Sequence, residues 1–314
     1  MSSGIVFVFP GQGAQAVGMG RDLYDNFPEA RAAFEAVDAA CGAAISELCF
    51  NGPEEALKQT ENTQPALFAT SVAALAACRA AGLTPAAAAG HSIGEYAALY
   101  AAGVFSLEDG ARLVRTRAQA MALAAAERPG AMAAVLGADF DAVDAACREV
   151  NPVGVVVPAN VNAPGQVVIS GETRAVEAAG ALLKERGAAK RVVPLAVSGA
   201  FHSPLMRHAT ETMTGALAGA ALSDPALPVI ANVTADYERT AGEVRENLVA
   251  QVAGPVRWVE TIQRFAADGY DTFVECGPGA VLAGLIKRIA PEAKTFSVGD
   301  AASLAAAKEA LGGA

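Results

Sequence analysis

The stretch from Ala86 to Ala102, AAAAGHSIGEYAALYAA, constrains the fold more than any other part of this 314-residue chain. A short apolar run leads into Gly90-His91-Ser92-Ile93-Gly94, and an alanine-rich helical segment follows at once. A serine between two glycines at a strand-to-helix turn is the pattern of a nucleophile elbow, which holds the hydroxyl above a parallel sheet. A Cβ at either glycine would clash where strand and helix approach. The alternative is a loop with a chance serine, because five-residue patterns are common.

The composition indicates a globular protein with a large core. Apolar residues make up 53% of the chain and charged residues 18%. The chain has no run of about 18 apolar residues, so the sequence predicts no membrane-spanning helix. The apolar segment Ile5–Phe9 lacks the basic leader of a signal peptide and predicts a first buried strand. The net charge of −10 argues against a nucleic-acid partner.

Cysteine and histidine usage indicates a cytoplasmic protein without a metal site. The 5 cysteines are odd in number, none has C-x-x-C spacing, and there are only 3 histidines. Reduced thiols are the simplest interpretation.

A glycine-rich loop follows the first predicted strand. Pro10-Gly11-Gln12-Gly13-Ala14-Gln15-Ala16 fits the dinucleotide-binding pattern G-x-G-x-x-G/A. That pattern requires a second strand ending in an acidic residue about 20 positions on. Glu35 and Asp38 instead lie inside a helical segment, Pro28–Cys41. We therefore expect no dinucleotide site and interpret the glycines as allowing backbone to approach a ligand closely.

Two of the helix starts predicted before residue 128 are indicated by a proline and by a serine cap. Pro65 is expected to begin a long apolar helix, since proline is favoured in the first turn. Ser106, followed by Glu108 and Asp109, predicts the cap of another helix. That second helix carries three arginines, which are interpreted from their mixed spacing as a solvated face: Arg112, Arg115 and Arg117.

The pattern of elements changes after residue 128. Residues 129–197 predict strand, helix, two strands, helix and strand, the ferredoxin-like order. Residues 1–128 and 198–314 predict strands alternating with helices, which implies a parallel sheet covered on both faces. The expected fold is therefore α/β, a large parallel-sheet unit with an inserted ferredoxin-like unit.

A serine nucleophile needs a base within hydrogen-bond reach, and three histidines are available. His91 adjoins Ser92 in the turn, so its side chain is expected to point elsewhere. His208 lies in a helical segment and is expected at the surface. His202 lies in a loop after a predicted strand, where a base is usually presented, and is favoured. No acidic residue stands out as the third member of a triad.

Several motifs together resemble one family. The chain resembles the malonyl-CoA:acyl carrier protein transacylases of fatty-acid synthesis over essentially its whole length, and it is similar to the acyltransferase domains of polyketide synthases. The motifs that carry the resemblance are Phe9-Pro10-Gly11-Gln12-Gly13, Gly90-His91-Ser92-Ile93-Gly94-Glu95, Arg117, Asn160-Val161-Asn162-Ala163-Pro164-Gly165-Gln166, Phe201-His202-Ser203, Gln251 and Gly277-Pro278-Gly279.

The resemblance implies a role for each matching position. Ser92 would be acylated, and His202 would be its base, oriented by a backbone carbonyl near Gln251, which would explain the missing acid. The backbone N–H groups of Gln12 and Ile93 would form the oxyanion hole. Arg117 would hold the malonyl carboxylate, a choice over Arg115 that the residues alone leave open. The other substrate-binding positions implied are Gln251, His91, Asn162 and Phe201.

The resemblance also implies an α/β-hydrolase-like large unit and a two-step transfer through malonyl-Ser92 to the phosphopantetheine thiol of acyl carrier protein. No cofactor or metal would be required beyond the substrates. The expected partners are malonyl-CoA and acyl carrier protein, with no nucleic acid and no membrane, for a monomeric cytoplasmic enzyme. Phe201 and Ile93 resemble the malonyl-selective pattern of related polyketide domains.

Three other functions remain open from the sequence. The chain could serve a polyketide pathway, act as a serine thioesterase or hydrolase on the same elbow, or bind a carrier protein without catalysis. Because the chain and its expected partners are all acidic, docking would require a local basic surface. Lys190 with Arg191 and Lys287 with Arg288 are the candidate pairs.

Overall fold

The strand predicted near the start of the chain lies inside a six-stranded sheet of the computed structural model, which describes residues 4–312. Within those residues there are ten strands, fourteen α-helices and one short 3-10 helix, Pro204–Met206. The strands are β1 (Val6–Phe9), β2 (Ala87–Gly90), β3 (Ala131–Leu136), β4 (Val156–Ala163), β5 (Gln166–Gly171), β6 (Arg191–Pro194), β7 (Val229–Ile230), β8 (Tyr237–Glu238), β9 (Thr272–Cys276) and β10 (Lys294–Val298).

Helices pack against both sheets. The helices are α1 (Arg21–Asn26), α2 (Pro28–Cys41), α3 (Ile45–Asn51), α4 (Glu54–Leu57), α5 (Thr60–Ala80), α6 (Gly94–Ala101), α7 (Leu107–Glu127), α8 (Phe140–Glu149), α9 (Thr173–Glu185), α10 (Arg207–Ala218), α11 (Ala241–Gln251), α12 (Trp258–Ala267), α13 (Val281–Ile289) and α14 (Ala301–Gly312). None of these helices, within residues 4–312, has the length and apolar character needed to cross a membrane.

The larger sheet has the order β10-β9-β1-β2-β7-β8, with every pairing parallel except the last. Side chains of a strand alternate between the two faces of a sheet. Phe7 and Phe9 of β1 accordingly join one apolar cluster, and Val6 and Val8 join another. Both faces are covered, which explains why β1 is an unbroken apolar run.

The smaller sheet is antiparallel in the order β4-β5-β3-β6, and the helices α8 and α9 contact it. Its four strands lie in the chain between β2 and β7, and its own apolar cluster fills the space beneath these helices. The predicted α/β fold with an inserted ferredoxin-like unit is confirmed.

The limits of the two units, at residues 128 and 197, remain predictions. Strand β4 contacts the larger unit directly, because the N–H of Val161 donates to the carbonyl of Val256 at 2.9 Å and the N–H of Val256 donates to that of Ala159 at 2.8 Å. Residues 1–3 and 313–314, which the predicted limits include, lie outside the described residues.

The helix predicted to begin at Pro65 begins five residues earlier, at Thr60, so that start is wrong. Pro65 has no N–H to donate to the carbonyl of Glu61, four residues before it. Arg115 of α7 supplies the missing donor, with its Nη1 3.0 Å from that carbonyl oxygen. The proline is accommodated inside the helix because a neighbouring side chain takes over its hydrogen bond.

The other predicted helix start is confirmed. Ser106 caps α7, and its hydroxyl accepts from the N–H of Asp109 at 3.1 Å.

Candidate active site

The turn between β2 and α6 has the predicted elbow geometry. Ser92 has a φ of 52°, in the left-handed region that non-glycine residues seldom occupy. A Cβ added to Gly90 would lie 1.9 Å from the carbonyl carbon of Gly94, and one added to Gly94 would lie 2.1 Å from the carbonyl oxygen of Phe9. Only glycine fits at either position, so the spacing of the two glycines follows from the close approach of strand and helix.

Two side chains from distant segments hold the elbow. The N–H of Ser92 donates to Oδ1 of Asn232 at 2.7 Å, and the carbonyl of Ser92 accepts from Nε2 of Gln251 at 2.9 Å. Asn232 also donates through Nδ2 to the carbonyl of Gly90 at 2.6 Å. Sequence reasoning missed Asn232 as a site residue. The available signal was its place just after a buried parallel strand, at the sheet edge where ligands bind in such folds.

His202 lies against the elbow serine. Its Nε2 is 2.7 Å from Oγ of Ser92, while its Nδ1 lies 2.9 Å from the carbonyl oxygen of Gln251 and 3.0 Å from that of Gly254. Carbonyl oxygens only accept, so Nδ1 carries the proton and Nε2 is free to take one from the serine. Backbone carbonyls thus orient the imidazole without an acidic side chain.

The environment of His202 keeps the imidazole neutral. Burial, the positive charge of Arg117 and the nearby His91 lower the pKa of His202 to about 3, against the smaller opposing effect of the two carbonyls. The other two histidines lie as expected. His91 turns its Nε2 to Oδ1 of Asn162 at 2.8 Å, and His208 is exposed, with its Nδ1 2.6 Å from a carboxylate oxygen of Glu127.

Arg117 is buried, with 1% of its surface exposed, so the prediction of a solvated face is wrong at this position. Its Nη1 donates to Oε1 of Gln64 at 2.5 Å, and its Nη2 donates to Oε1 of Gln251 at 2.8 Å and to Oγ of Ser92 at 3.1 Å. Arg112 has the predicted exposed position, whereas Arg115 is half-buried and donates to the carbonyl of Glu61, so the prediction is wrong for Arg115 as well. Of its three arginines, helix α7 therefore places one, Arg117, in the site.

The glycine-rich loop lies beside the elbow. A Cβ added to Gly11 would be 2.7 Å from the carbonyl oxygen of His91, so the loop approaches as closely as glycine allows. Within residues 4–312, the structure records no protein acceptor for the backbone N–H of Gln12 or of Ile93. Both residues line the cavity next to Ser92. Their N–H groups are available to a ligand, and their oxyanion role stays a prediction.

A cavity of about 80 Å³ opens above Ser92. Its walls are Gln12, Gln64, His91, Ser92, Ile93, Arg117, Met121, Met132, Asn160, Leu195, Val197, Phe201 and His202. Strands β3 and β4 supply Met132 and Asn160, so the inserted unit forms part of the wall. The space suits a small acyl group, with the rest of a larger substrate outside.

The predicted substrate-binding residues divide into two groups. His91 and Phe201 form part of the cavity wall, whereas Gln251 and Asn162 lie behind it, hydrogen-bonded to Arg117 and to His91. Sequence reasoning missed the apolar wall residues Met121, Met132 and Leu195, because their types do not differ from those of a buried core. Among the described residues, no group of three or more His, Cys, Asp or Glu side chains is arranged to hold a metal ion.

Comparison with known proteins gives a consistent result. The pattern of the acyl transferase domain family matches residues 6–306. The malonyl CoA-acyl carrier protein transacylase of Bacillus subtilis (strain 168) is 44% identical over 310 residues, which cover 98% of each chain. That of Escherichia coli (strain K12) is 42% identical over 304 residues, 96% of this chain and 98% of that protein.

Solved structures agree over the same length. The malonyl-CoA:acyl carrier protein transacylase from Xanthomonas oryzae pv. oryzae is 46% identical, with a TM-score of 0.94 over 99% of both chains. A malonyl-transacylase in complex with a type II polyketide synthase acyl-carrier protein is 43% identical, with a TM-score of 0.94 over 98% of this chain and all of that one.

Proposed function

This chain belongs to the acyl transferase domain family, and from that membership and its site we propose that it transfers a malonyl group from malonyl-CoA to the phosphopantetheine thiol of acyl carrier protein. One observation carries the proposal. Oγ of Ser92 lies 2.7 Å from Nε2 of His202 and 3.1 Å from Nη2 of Arg117. The nucleophilic hydroxyl is thus within hydrogen-bond distance of both a base and a fixed cation. Acyl transfer to serine requires the base, and an acyl group with a free carboxylate requires the cation.

In the first half-reaction, Oγ of Ser92 attacks the thioester carbonyl carbon while Nε2 of His202 takes the hydroxyl proton. The N–H groups of Gln12 and Ile93 stabilise the oxyanion that forms. The intermediate collapses, the carbon–sulfur bond breaks, and His202 returns the proton to the CoA thiolate. The acyl group is left as an ester of Ser92.

In the second half-reaction, the phosphopantetheine thiol gives its proton to His202 and attacks the ester carbonyl. The carbon–oxygen bond to Ser92 breaks, and His202 returns the proton to the serine. The same base serves both steps, and no electrons are exchanged. The residues therefore complete the cycle with the malonyl-CoA thioester and the phosphopantetheine thiol as the only reactants.

Arg117 supports selectivity for malonyl. A guanidinium is planar and can donate two parallel hydrogen bonds to a carboxylate. Burial lowers the pKa of Arg117 from its ordinary value, but the group remains a cation at neutral pH. Phe201 in the cavity wall would crowd a branching methyl. We infer a preference for malonyl over acetyl and over methylmalonyl.

We further propose that the enzyme uses no cofactor or metal, acts as a monomer in the cytoplasm, and binds neither nucleic acid nor membrane. The large unit comprises residues 1–128 and 198–314, and the small unit comprises residues 129–197. A polyketide carrier protein is the second candidate acceptor, because one structural relative was solved with such a protein.

Intact-mass measurement after mixing with malonyl-CoA, methylmalonyl-CoA or acetyl-CoA tests the proposal. We expect one malonyl group on the protein, none on Ser92→Ala, and loss of the adduct when acyl carrier protein is added. Carrier proteins of fatty-acid and polyketide type, assayed side by side, identify the acceptor. Steady-state CoA release, beyond one equivalent per enzyme, that proceeds equally without any carrier protein would establish a hydrolase instead.

A further inference from the structure

Glu95 is a buried acid immediately behind the elbow, three residues after Ser92. Its side chain has no exposed surface. Its Oε2 accepts from Nε2 of Gln251 at 2.9 Å and from the backbone N–H of Asn232 at 3.0 Å. These are the two residues whose side chains hold the N–H and the carbonyl of Ser92. One carboxylate oxygen thus anchors both supports of the nucleophile.

The side-chain amide of Gln251 satisfies its partners in only one orientation. Its Nε2 donates to Glu95 and to the carbonyl of Ser92, and its Oε1 accepts from Nη2 of Arg117. A carboxylate and a carbonyl can only accept, and a guanidinium can only donate. Rotating the amide by half a turn would place its NH2 group against the guanidinium of Arg117 and its oxygen against the carboxylate of Glu95. The carboxylate of Glu95 therefore fixes which atom of Gln251 faces the arginine.

We propose that Glu95 is a positioning residue, which, through Gln251, aims the guanidinium of Arg117 at the free carboxylate of the acyl group and so sets selectivity. This inference rests on the proposed function, because it assumes that Arg117 binds that carboxylate. Glu95 contacts neither Ser92 Oγ nor the cavity. The bond from Asn232 is a second support, and its loss would slow acylation by every acyl group alike.

A second buried acid, Glu238, provides a matched control. It is 2% exposed, and its Oε1 accepts from Nδ2 of Asn247 at 3.1 Å. Burial raises the pKa of Glu95 to about 7, and burial with the nearby Glu95 raises the pKa of Glu238 to about 9. Glu238 is therefore protonated at neutral pH, and the structure records no hydrogen bond from it to Gln251 or Asn232 within residues 4–312.

Two conservative variants separate the effect of side-chain length at position 95 from the effect of its charge. Glu95→Asp keeps an ionisable carboxyl but withdraws it by about one bond length, ~1.5 Å, which places both donors beyond hydrogen-bond range. Glu95→Gln loses the charge but keeps an oxygen at the same place. The measurement is the ratio of single-turnover rates of acylation by malonyl-CoA and by acetyl-CoA, followed by intact mass on the full chain.

We expect the malonyl-to-acetyl ratio to fall roughly tenfold in Glu95→Asp, as the loss of a charge-assisted hydrogen bond implies, and to stay within about threefold of wild type in Glu95→Gln. Glu238→Gln should leave the ratio unchanged. A purely structural role would lower both rates in proportion. An unchanged ratio in Glu95→Asp, or a ratio in Glu95→Gln as low as in Glu95→Asp, would overturn the inference.

Arg117→Ala in the same assay separates this inference from the proposed function. A wild-type enzyme without malonyl preference, or an Arg117→Ala variant that keeps it, would remove the role of Arg117 whatever Glu95 does. Where Arg117→Ala loses the preference and Glu95→Asp retains it, only the role of Glu95 is refuted.

Discussion

Nδ1 of His202 lies 2.9 Å from the backbone carbonyl oxygen of Gln251, so a neutral dipole orients the proposed base where many serine enzymes use a carboxylate. A carbonyl stabilises the imidazolium less than a carboxylate would. With burial and the charge of Arg117, this arrangement leaves His202 with a pKa of about 3. The imidazole of His202 is therefore unprotonated at neutral pH, and this affects the pH dependence of acylation.

We predict that protonation of His202 produces no acid limb in the single-turnover rate of acylation between pH 8 and pH 5. A base with a lowered pKa remains neutral until the pH approaches about 3, whereas an ordinary histidine would be half protonated near pH 6.5. Rapid-quench measurements of acyl-enzyme across this range test the prediction, with circular dichroism to show that the fold persists. The buried carboxyl of Glu95 has a pKa of about 7, so the Glu95→Gln variant is measured as well. An acid limb centred near pH 6.5 that persists in this variant would contradict the prediction.

His202→Ala should slow both acylation by malonyl-CoA and transfer to carrier protein by about 100- to 10,000-fold, because one base serves both half-reactions. His208→Ala is the matched control, since this histidine is exposed and pairs with Glu127. Single-turnover kinetics of each half-reaction give the result. Near-normal acylation by His202→Ala would remove its assigned role.

Arg117→Ala should lose malonyl transfer and gain relative activity with acetyl-CoA, because an uncharged site no longer penalises a neutral acyl group. Charged hydrogen bonds of this kind contribute about 1.5–3 kcal/mol, so the malonyl-to-acetyl ratio should fall at least about tenfold. Arg112→Ala, on the exposed face of α7, is the control. A ratio equal to that of wild type would exclude Arg117 as the carboxylate ligand.

Glu238→Gln should stabilise the protein increasingly as the pH rises. The folded-state pKa of Glu238, about 9, lies above the usual value of about 4.3, so its stabilising effect is complete below that usual value and is lost as the pH rises toward 9. The loss amounts to at most about 1.4 kcal/mol per pH unit. Urea unfolding at pH 5, 7 and 9 measures the difference in free energy of unfolding between variant and wild type, and a difference independent of pH would refute the prediction.

Reversing Lys190 and Arg191 to glutamate should raise the KM for carrier protein, most strongly at low ionic strength, where the Debye length is about 30 Å. Arg191 begins β6, and Leu195 of the cavity wall lies four residues on, about 13 Å along an extended chain. The other candidate pair already makes hydrogen bonds within the protein. Lys287 donates to the carbonyl of Ala293, and Arg288 donates to the carbonyl of Pro164.

The acylation rate at saturating malonyl-CoA should not change in the Lys190 and Arg191 variant. Lys287 and Arg288, reversed in the same way, provide a comparison. A carrier-protein KM that equals the wild-type value at low salt would place docking elsewhere.

Local chemistry made the elbow and most elements predictable. The glycines flanking Ser92, the cap at Ser106 and the apolar run of β1 each act over a few residues, so the sequence shows them directly. The residues alone also favoured His202 over His91 and His208. Two-residue strands such as β8 are too short to give a periodic pattern.

The supports of the site could not be predicted, because they depend on contacts between distant segments. Glu95 and Gln251 are separated by 156 positions, and Ser92 and Asn232 by 140. Nothing local distinguishes Arg117 from Arg115, since the difference lies in what each meets on α5. The resemblance to a family selected Arg117, and the packing supplies the physical reason.

The proline inside α5 has a consequence for how α7 tolerates insertions and deletions. Arg115 donates to the carbonyl that Pro65 leaves free, and Arg117 donates to Gln64, the residue before that proline. The two arginines thus fix the position of α7 relative to the same part of α5. Adding or removing a single residue between them would rotate Arg117 by about 100° around the helix axis and carry it out of the cavity, while Arg115 stayed in place. With the role proposed for Arg117, an alignment gap at this point predicts a relative with a different acyl substrate.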